Sequence, residues 1–177
     1  TQKALRDKIG YIPQKGVLFK GTIRSNLVFG NEKATEEELY KALDTSQASD
    51  FVKSLKEGLD SPISQGGTNV SGGQKQRLNI ARAVVKNPEI YIFDDTFSAL
   101  DFKTDKLLRQ ALDRETKDGT KLIVAQRIGT IIDADIIIVL EQGKVVDTGT
   151  HKELMKKCEV YREIAYSQLS KEELENE

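Results

Sequence analysis

Two stretches bring small, polar and acidic residues together in patterns able to hold a ligand. Val70-Ser71-Gly72-Gly73-Gln74 heads a segment that runs to Lys86 and reads as a helix. Leu78, Ala81 and Val85 share one face of it, and Ile80 and Val84 widen that face. Ser71 is suited to cap the first unpaired backbone N–H groups. The two glycines lack a Cβ, so their backbone can come close to a ligand. Outward-facing N–H groups at the positive end of a helix dipole make an anion site, with phosphate the natural guest. The same letters also describe an ordinary Ser-capped helix after a glycine turn. The second stretch is Glu89 to Asp95, an apolar run (Ile90-Tyr91-Ile92-Phe93) that ends in two acids. It predicts a parallel strand buried on both faces. Its carboxyl end is where open α/β sheets place ligands, and a carboxylate there can hold Mg²⁺, commonly through water. A strand ending in an acid equally describes a helix cap or a surface acid.

The elements around these stretches can be read in chain order. Lys8 to Pro13 predicts a short strand and Thr22 to Phe29 a short helix. Thr35-Glu36-Glu37-Glu38 is a capping box that opens a helix with Leu39, Ala42 and Leu43 on its apolar face. Phe51, Val52 and Leu55 mark another helical turn, and Ser61 to Asn69 is loop-like. The helix behind Gly73 stops before Asn87-Pro88. Lys103 to Thr116 is amphipathic through Leu107, Leu108, Ala111 and Leu112. Lys121 to Ala125 and Asp135 to Leu140 predict two further buried strands. Gln142-Gly143 turns the last of these back into Lys144 to Asp147 as a hairpin. Thr150-His151-Lys152-Glu153 opens a C-terminal helical region, with His151 expected at the surface, and the acidic tail from Lys171 to Glu177 reads as a frayed end. Strands alternating with helices predict an α/β domain.

Composition narrows the function classes. A formal net charge of −1 excludes a nucleic-acid binder driven by bulk positive charge. The longest apolar runs are far too short to cross a bilayer. Cys158 is the only cysteine, so no internal disulfide can form, and the pattern around it predicts a structural thiol in a reducing compartment.

The order and spacing of Gln14, Val70 to Gln74, Ile90 to Asp95 and Ser98-Ala99-Leu100-Asp101 resemble an ATP-binding cassette (ABC) transporter nucleotide-binding domain over nearly the whole chain. The resemblance implies a P-loop NTPase cassette of α/β class: a mostly parallel sheet core, an α-helical subdomain, and a C-terminal hairpin and helices. Residues 1–14 and 87–177 would belong to the ATPase core, and 15–86 to the helical signature subdomain. Gln14 would be the Q-loop glutamine, reaching Mg²⁺ and the attacking water and joining the cassette to the membrane domain. Ser71, Gly72, Gly73 and Gln74 would be the signature, presented in trans to ATP held by a second cassette. Asp94 would be the Walker B acid that holds Mg²⁺, and Ser98 to Asp101 the D-loop crossing the dimer interface. The run Gly16-Val17-Leu18-Phe19-Lys20-Gly21-Thr22-Ile23-Arg24-Ser25-Asn26-Leu27 is similar to exporter cassettes. Ser64-Gln65-Gly66-Gly67 stands where exporters place a contact to the partner's coupling helix, with Gln65 replacing their glutamate.

Three departures from the family's pattern carry consequences. No G-x-x-x-x-G-K-[ST] phosphate loop is present. The family places that loop ahead of the Q-loop, so it is expected before Thr1, with transmembrane helices further upstream; this chain alone is then expected to be inactive. Asp95 stands where the family's general base is glutamate. One methylene less withdraws the carboxylate by ~1.5 Å, when hydrogen-bond reach needs ~2.6–3.2 Å, and a misplacement of that size lowers a rate by ~10². Gln126, in Lys121-Leu122-Ile123-Val124-Ala125-Gln126-Arg127, stands at the switch position where the family has histidine. An amide can donate to a γ-phosphate but cannot carry a proton or positive charge.

Together these imply a degenerate ATP site that binds more readily than it hydrolyses. The intact signature would complete a competent site on a second, non-identical cassette, in a heterodimeric exporter at the cytoplasmic face of the cell membrane. A non-hydrolysing regulatory module is an alternative reading. ABC-type DNA-maintenance ATPases share the motifs, but the 56 residues between Gln14 and Ser71 leave no room for their long coiled coils.

Overall fold

The computed structural model of the chain describes residues 1–169, so the acidic tail read from the sequence lies outside the described residues. The chain divides into two units, Thr1–Val124 and Ala125–Glu177.

The first unit opens with α1 (Gln2–Asp7) and β1 (Ile9–Ile12). A two-residue strand, β2 (Gly21–Thr22), leads into α2 (Ile23–Val28), α3 (Glu36–Thr45) and α4 (Ser49–Ser54). β3 (Pro62–Ile63) pairs antiparallel with β2. The long helix α5 (Gly72–Lys86) follows, then β4 (Ile90–Asp94), α6 (Phe102–Glu115) and β5 (Thr120–Val124). Local chemistry explains the boundaries. Thr35 and Glu38 form the reciprocal cap of α3, and Ser71 and Gln74 do the same for α5. Asn87 ends α5 in the left-handed conformation that asparagine tolerates, with its N–H on the Val84 carbonyl.

Two apolar cores stabilise this unit. One gathers Leu18, Ile23 and Leu27 with Leu39, Leu43, Val52 and Leu78. The other lies under the parallel sheet β1-β4-β5 and joins Ile12, Tyr91 and Phe93 to Ile80 of α5 and Leu108 and Leu112 of α6.

Within this unit, the described residues pack a core against one face of the sheet. Register puts Tyr11, Ile92 and Leu122 abreast, with Asp94 beside Val124, on the face opposite that second core. Leu122 is 52% exposed and Val124 50%. The expectation of strands buried on both faces is therefore corrected for β4 and β5. The apolar run was read correctly as strand, but α5 and α6 both pack on the Tyr91–Phe93 side. Leu107 also faces outward, while Leu108 and Leu112 fill the core.

The second unit contains α7 (Ile128–Ile131), the antiparallel hairpin β6 (Ile137–Glu141) and β7 (Lys144–Gly149), then α8 (His151–Lys157) and α9 (Glu159–Gln168). Gln142 and Gly143 both have positive φ, as a tight hairpin turn requires. Ile137 and Val139 point into a core with Leu154, Cys158, Tyr161 and Ala165, whereas Ile138 and Leu140 face outward. β6 is thus half-buried rather than buried throughout, because a hairpin strand offers one face to α8 and α9. Cys158 is buried, and its Sγ accepts from the Tyr161 N–H at the start of α9. His151 is not a surface residue. It is 4% exposed, with Nδ1 2.7 Å from the Tyr161 hydroxyl. The capping box was read correctly, but the ring after it turns inward against α9.

Candidate functional site

The carboxyl end of β4 gathers side chains from β1, the residues just past it and the turn after β4. β1 and β4 run parallel and in register, so residues at the end of one meet the turn after the other. Tyr11 donates its hydroxyl to Asp94 Oδ2 at 2.8 Å. That hydrogen bond, ahead of burial and the carboxylate's charge, holds the Tyr11 phenol above its ordinary pKa. Gln14, just past β1, donates Nε2 to Asp95 Oδ2 at 2.9 Å. Asp95 is 9% exposed and left-handed, with φ 44°. Its N–H still reaches the Val124 carbonyl at 3.0 Å, so the turn stays attached to β5. Ser98 Oγ donates to the Asp95 carbonyl at 2.8 Å, and the buried Thr96 hydroxyl donates to Ile12 O at 3.1 Å. Asp101 caps α6 by accepting from Thr104 N–H at 2.9 Å, and its hydrogen bonding with Thr104 lowers its pKa.

The head of α5 is the second part. Ser71 Oγ accepts from Gln74 N–H at 3.2 Å, and Gln74 Oε1 accepts from Ser71 N–H at 2.9 Å. The two side chains expected to meet a ligand are thus engaged with each other. What the helix head offers instead is backbone: Gly72 and Gly73 occupy its first two positions, whose N–H groups have no intrahelical acceptor. A Cβ on Gly72 would meet nothing within 4 Å, and one on Gly73 would lie 3.8 Å from the Ala99 carbonyl. The 71–74 stretch therefore lies beside the 98–101 stretch, and Gln14, Asp94 and Asp95 form one cluster. Gln126 belongs to the second unit, where its backbone carbonyl accepts from Gln168 Nε2 at 2.8 Å.

The donor set fits a hard, oxygen-preferring cation. Asp94 and Asp95 supply carboxylates, and the Gln14 amide supplies a neutral oxygen. No group of three or more His, Cys, Asp or Glu among the described residues could cage a metal. Two adjacent carboxylates and a neutral amide oxygen are the kind of donor set Mg²⁺ takes, with its other positions filled by water and phosphate oxygens.

Some contributors were not identified from the sequence. Tyr11 was read only as part of a strand, although parallel pairing with β4 was enough to suggest its reach toward Asp94. Gln76, Asn79 and Arg82 lie off the apolar face of α5 that the hydrophobic pattern marks. Their i, i+3, i+6 spacing was the available signal.

Comparison with known proteins agrees with this geometry. The ABC transporter family model matches residues 1–98, more than half of the chain. The chain belongs to the ABC transporter family. It is 44% identical over 167 residues to ABC transporter B family member 21 of Arabidopsis thaliana, covering 94% of this chain and 13% of that protein. It is 44% identical over 161 residues to a putative multidrug export ATP-binding/permease protein of Staphylococcus aureus, covering 91% of this chain and 28% of that one. The solved structure of a bacterial Atm1-family ABC exporter with ATP bound superimposes with a TM-score of 0.91 at 36% identity, covering 97% of this chain and 30% of that chain. The fold is accordingly that of the ABC cassette, a P-loop NTPase with a parallel sheet core. This ABC-family chain spans less than a third of the length of each of these relatives. No helix among its described residues is long and apolar enough to cross a membrane.

Proposed function

We propose that this chain is the ATP-binding component of an ABC exporter, and that its own nucleotide site is degenerate while its signature completes a competent site on a second, non-identical cassette. The reading is supported above all by the Gln14–Asp95 contact, which brings the Q-loop amide onto the residue that stands at the general-base position. Asp94 and Gln14 would hold Mg²⁺ beneath ATP, and bound Mg²⁺ neutralises charge on the β- and γ-phosphate oxygens. Asp95 carries the carboxylate for accepting a proton from water, but on a stem one methylene short, and it is drawn toward Gln14. Gln126 can donate a hydrogen bond to a γ-phosphate but cannot take up a proton there. Ser71 fixes the start of α5, and the Gly72 and Gly73 N–H groups face the partner's phosphates. Ser98 and Asp101 shape the adjoining interface turn.

Docking to membrane-spanning domains is supported by a groove of about 480 Å³ beside the Q-loop, lined in part by Val17, Phe19, Phe29 and Arg82. Phe19 and Phe29 are both exposed, with ring centroids 5.2 Å apart, and Arg82 lies over the Phe19 ring. Such a groove suits a short helix presenting apolar side chains, and a cassette docked in this way would work at the cytoplasmic face of the membrane. A non-hydrolysing regulatory module is the second reading, favoured by the same short carboxylate at Asp95.

The test is ATP occlusion against turnover in the full-length assembled transporter. Selective loss of hydrolysis when the partner's base is removed, with ATP still retained at this chain's site, is the expected result. A homodimer of the full-length protein turning over at tens per second, with Asp95→Glu and Gln126→His giving no gain, would refute the degenerate site.

A further inference from the structure

The polar flank of α5 holds the loop around Gln14. Gln76 is 2% exposed, and both ends of its amide are used. Its Nε2 donates to Pro13 O at 3.0 Å, and its Oε1 accepts from Gly16 N–H at 3.1 Å. One side chain thus grips the backbone on either side of Gln14. Asn79 and Arg82 extend the grip along the same face: Asn79 Oδ1 accepts from Arg82 Nη2 at 3.1 Å, and Arg82 Nη2 also donates to Val17 O at 2.8 Å. The fit is close. A Cβ on Gly16 would collide with Asn79 Nδ2 and come within 2.8 Å of Gln76 Oε1.

The same helix begins at Ser71, and five residues of helix advance ~7.5 Å along the axis. One rigid element therefore carries the anion-binding head at one end and, about a turn and a half later, the clamp on the loop that bears this chain's own metal-facing amide. We propose that Gln76 is a positioning residue that ties the two nucleotide sites together. A shift of α5 as its head engages the partner's ATP is carried through Gln76 into residues 13–16, and so into the placement of Gln14 against Asp95. This rests on the ATP-binding reading given above. The physical basis is the cost of leaving a buried N–H and C=O without partners, which keeps the loop and the helix moving as one body.

The test is a double-mutant cycle in the full-length assembled transporter, using Gln14→Ala and Gln76→Met, the latter similar in length but unable to donate or accept in the same way. Each single change is expected to lower turnover at this chain's own site, measured with the partner's base removed, by ~10-fold with KM for ATP within about threefold, and the double variant to be no more than about twofold below the worse single one, as for residues acting through one another. The ATP Hill coefficient is expected to fall toward 1 in Gln76→Met. A merely structural Gln76 would instead lower the melting temperature and multiply with Gln14→Ala. Multiplying effects, or wild-type turnover and cooperativity in Gln76→Met, would overturn the proposal while leaving the ATP-binding reading in place. If wild-type protein retained no ATP in filter binding, both would fall. Should Gln76→Met not fold, amide hydrogen exchange of the wild type decides: Gly16 is expected to be protected well beyond Lys15, and equal exchange at the two sites would remove the clamp.

Discussion

The head of α5 and the end of β4 are built on opposite plans. At the head of α5 the side chains are spent on each other: Ser71 and Gln74 close a reciprocal cap, and Gly72 and Gly73 at the first two helical positions leave N–H groups with no acceptor inside the helix. At the end of β4 the backbone is occupied, with Asp95 N–H on Val124 and its carbonyl on Ser98, and the side chains meet one another. A backbone site recognises phosphate by the shape of a peptide turn and tolerates little added bulk. A side-chain site depends on the length and charge of individual groups, so a single methylene can change what it does. The first kind of site survives drift in neighbouring side chains, and the second is where function is lost first.

The largest expected effect tests the backbone site. Gly72→Ala has room for its Cβ and a φ outside the left-handed region, so the melting temperature is expected to hold. On the function proposed above the methyl group would stand where phosphate approaches, and turnover of the assembled pair is expected to fall by ~10² or more, the scale for losing one preorganised donor. An unchanged rate would mean that α5 does not face nucleotide. The side-chain site is tested next by Asp95→Glu, which restores the missing reach and is expected to raise turnover at this chain's own site by up to ~10². Measured with the partner's base removed, no gain would show that reach is not what limits the site. Smaller is Ser71→Ala, which removes a cap and is expected to lower stability by ~1 kcal/mol in denaturant unfolding, with an effect on turnover well below that of Gly72→Ala.

The smallest effect is on acid stability. Asp101 and Asp60 both have pKa values lowered in the folded chain, Asp101 by its hydrogen bonds with Thr104 and Asp60 by its hydrogen bond from Arg24. A lowered folded-state pKa gives stability that is present above the ordinary aspartate value of 3.8 and lost as pH falls through the folded one. Thermal melting is therefore expected to weaken below about pH 4, and less so in Asp101→Asn, whose cap does not titrate.

Much of this plan was legible in the sequence because it is written in local chemistry. The capping boxes at Thr35 and Thr150 and the cap at Ser71 all form, and the Gln142-Gly143 turn sits where the sequence places it. The misread features depended on non-local packing. An apolar run such as Ile90 to Phe93 shows that a strand is present but not how many faces are covered. His151 carries no local sign that Tyr161, ten residues later, will draw its ring inward. The polar flank of α5 was hidden for a related reason: Gln76 and Asn79 resemble surface residues until Pro13 and Gly16 are folded against them. At the candidate site, Gln14, Asp94 and Asp95 were separately visible. The Tyr11 hydroxyl on Asp94 needed the strand register to find it.

The left-handed turn at residue 95 bears on how this protein can change over generations. Aspartate is among the few non-glycine residues at ease there, and a longer acid would bear a conformational penalty of about 1 kcal/mol. On the degenerate-site function proposed above, recovering speed at this position runs against the backbone's own preference. Swift descendants are expected to carry a second, stabilising substitution elsewhere, whereas sluggish ones can keep the short acid indefinitely without compensation.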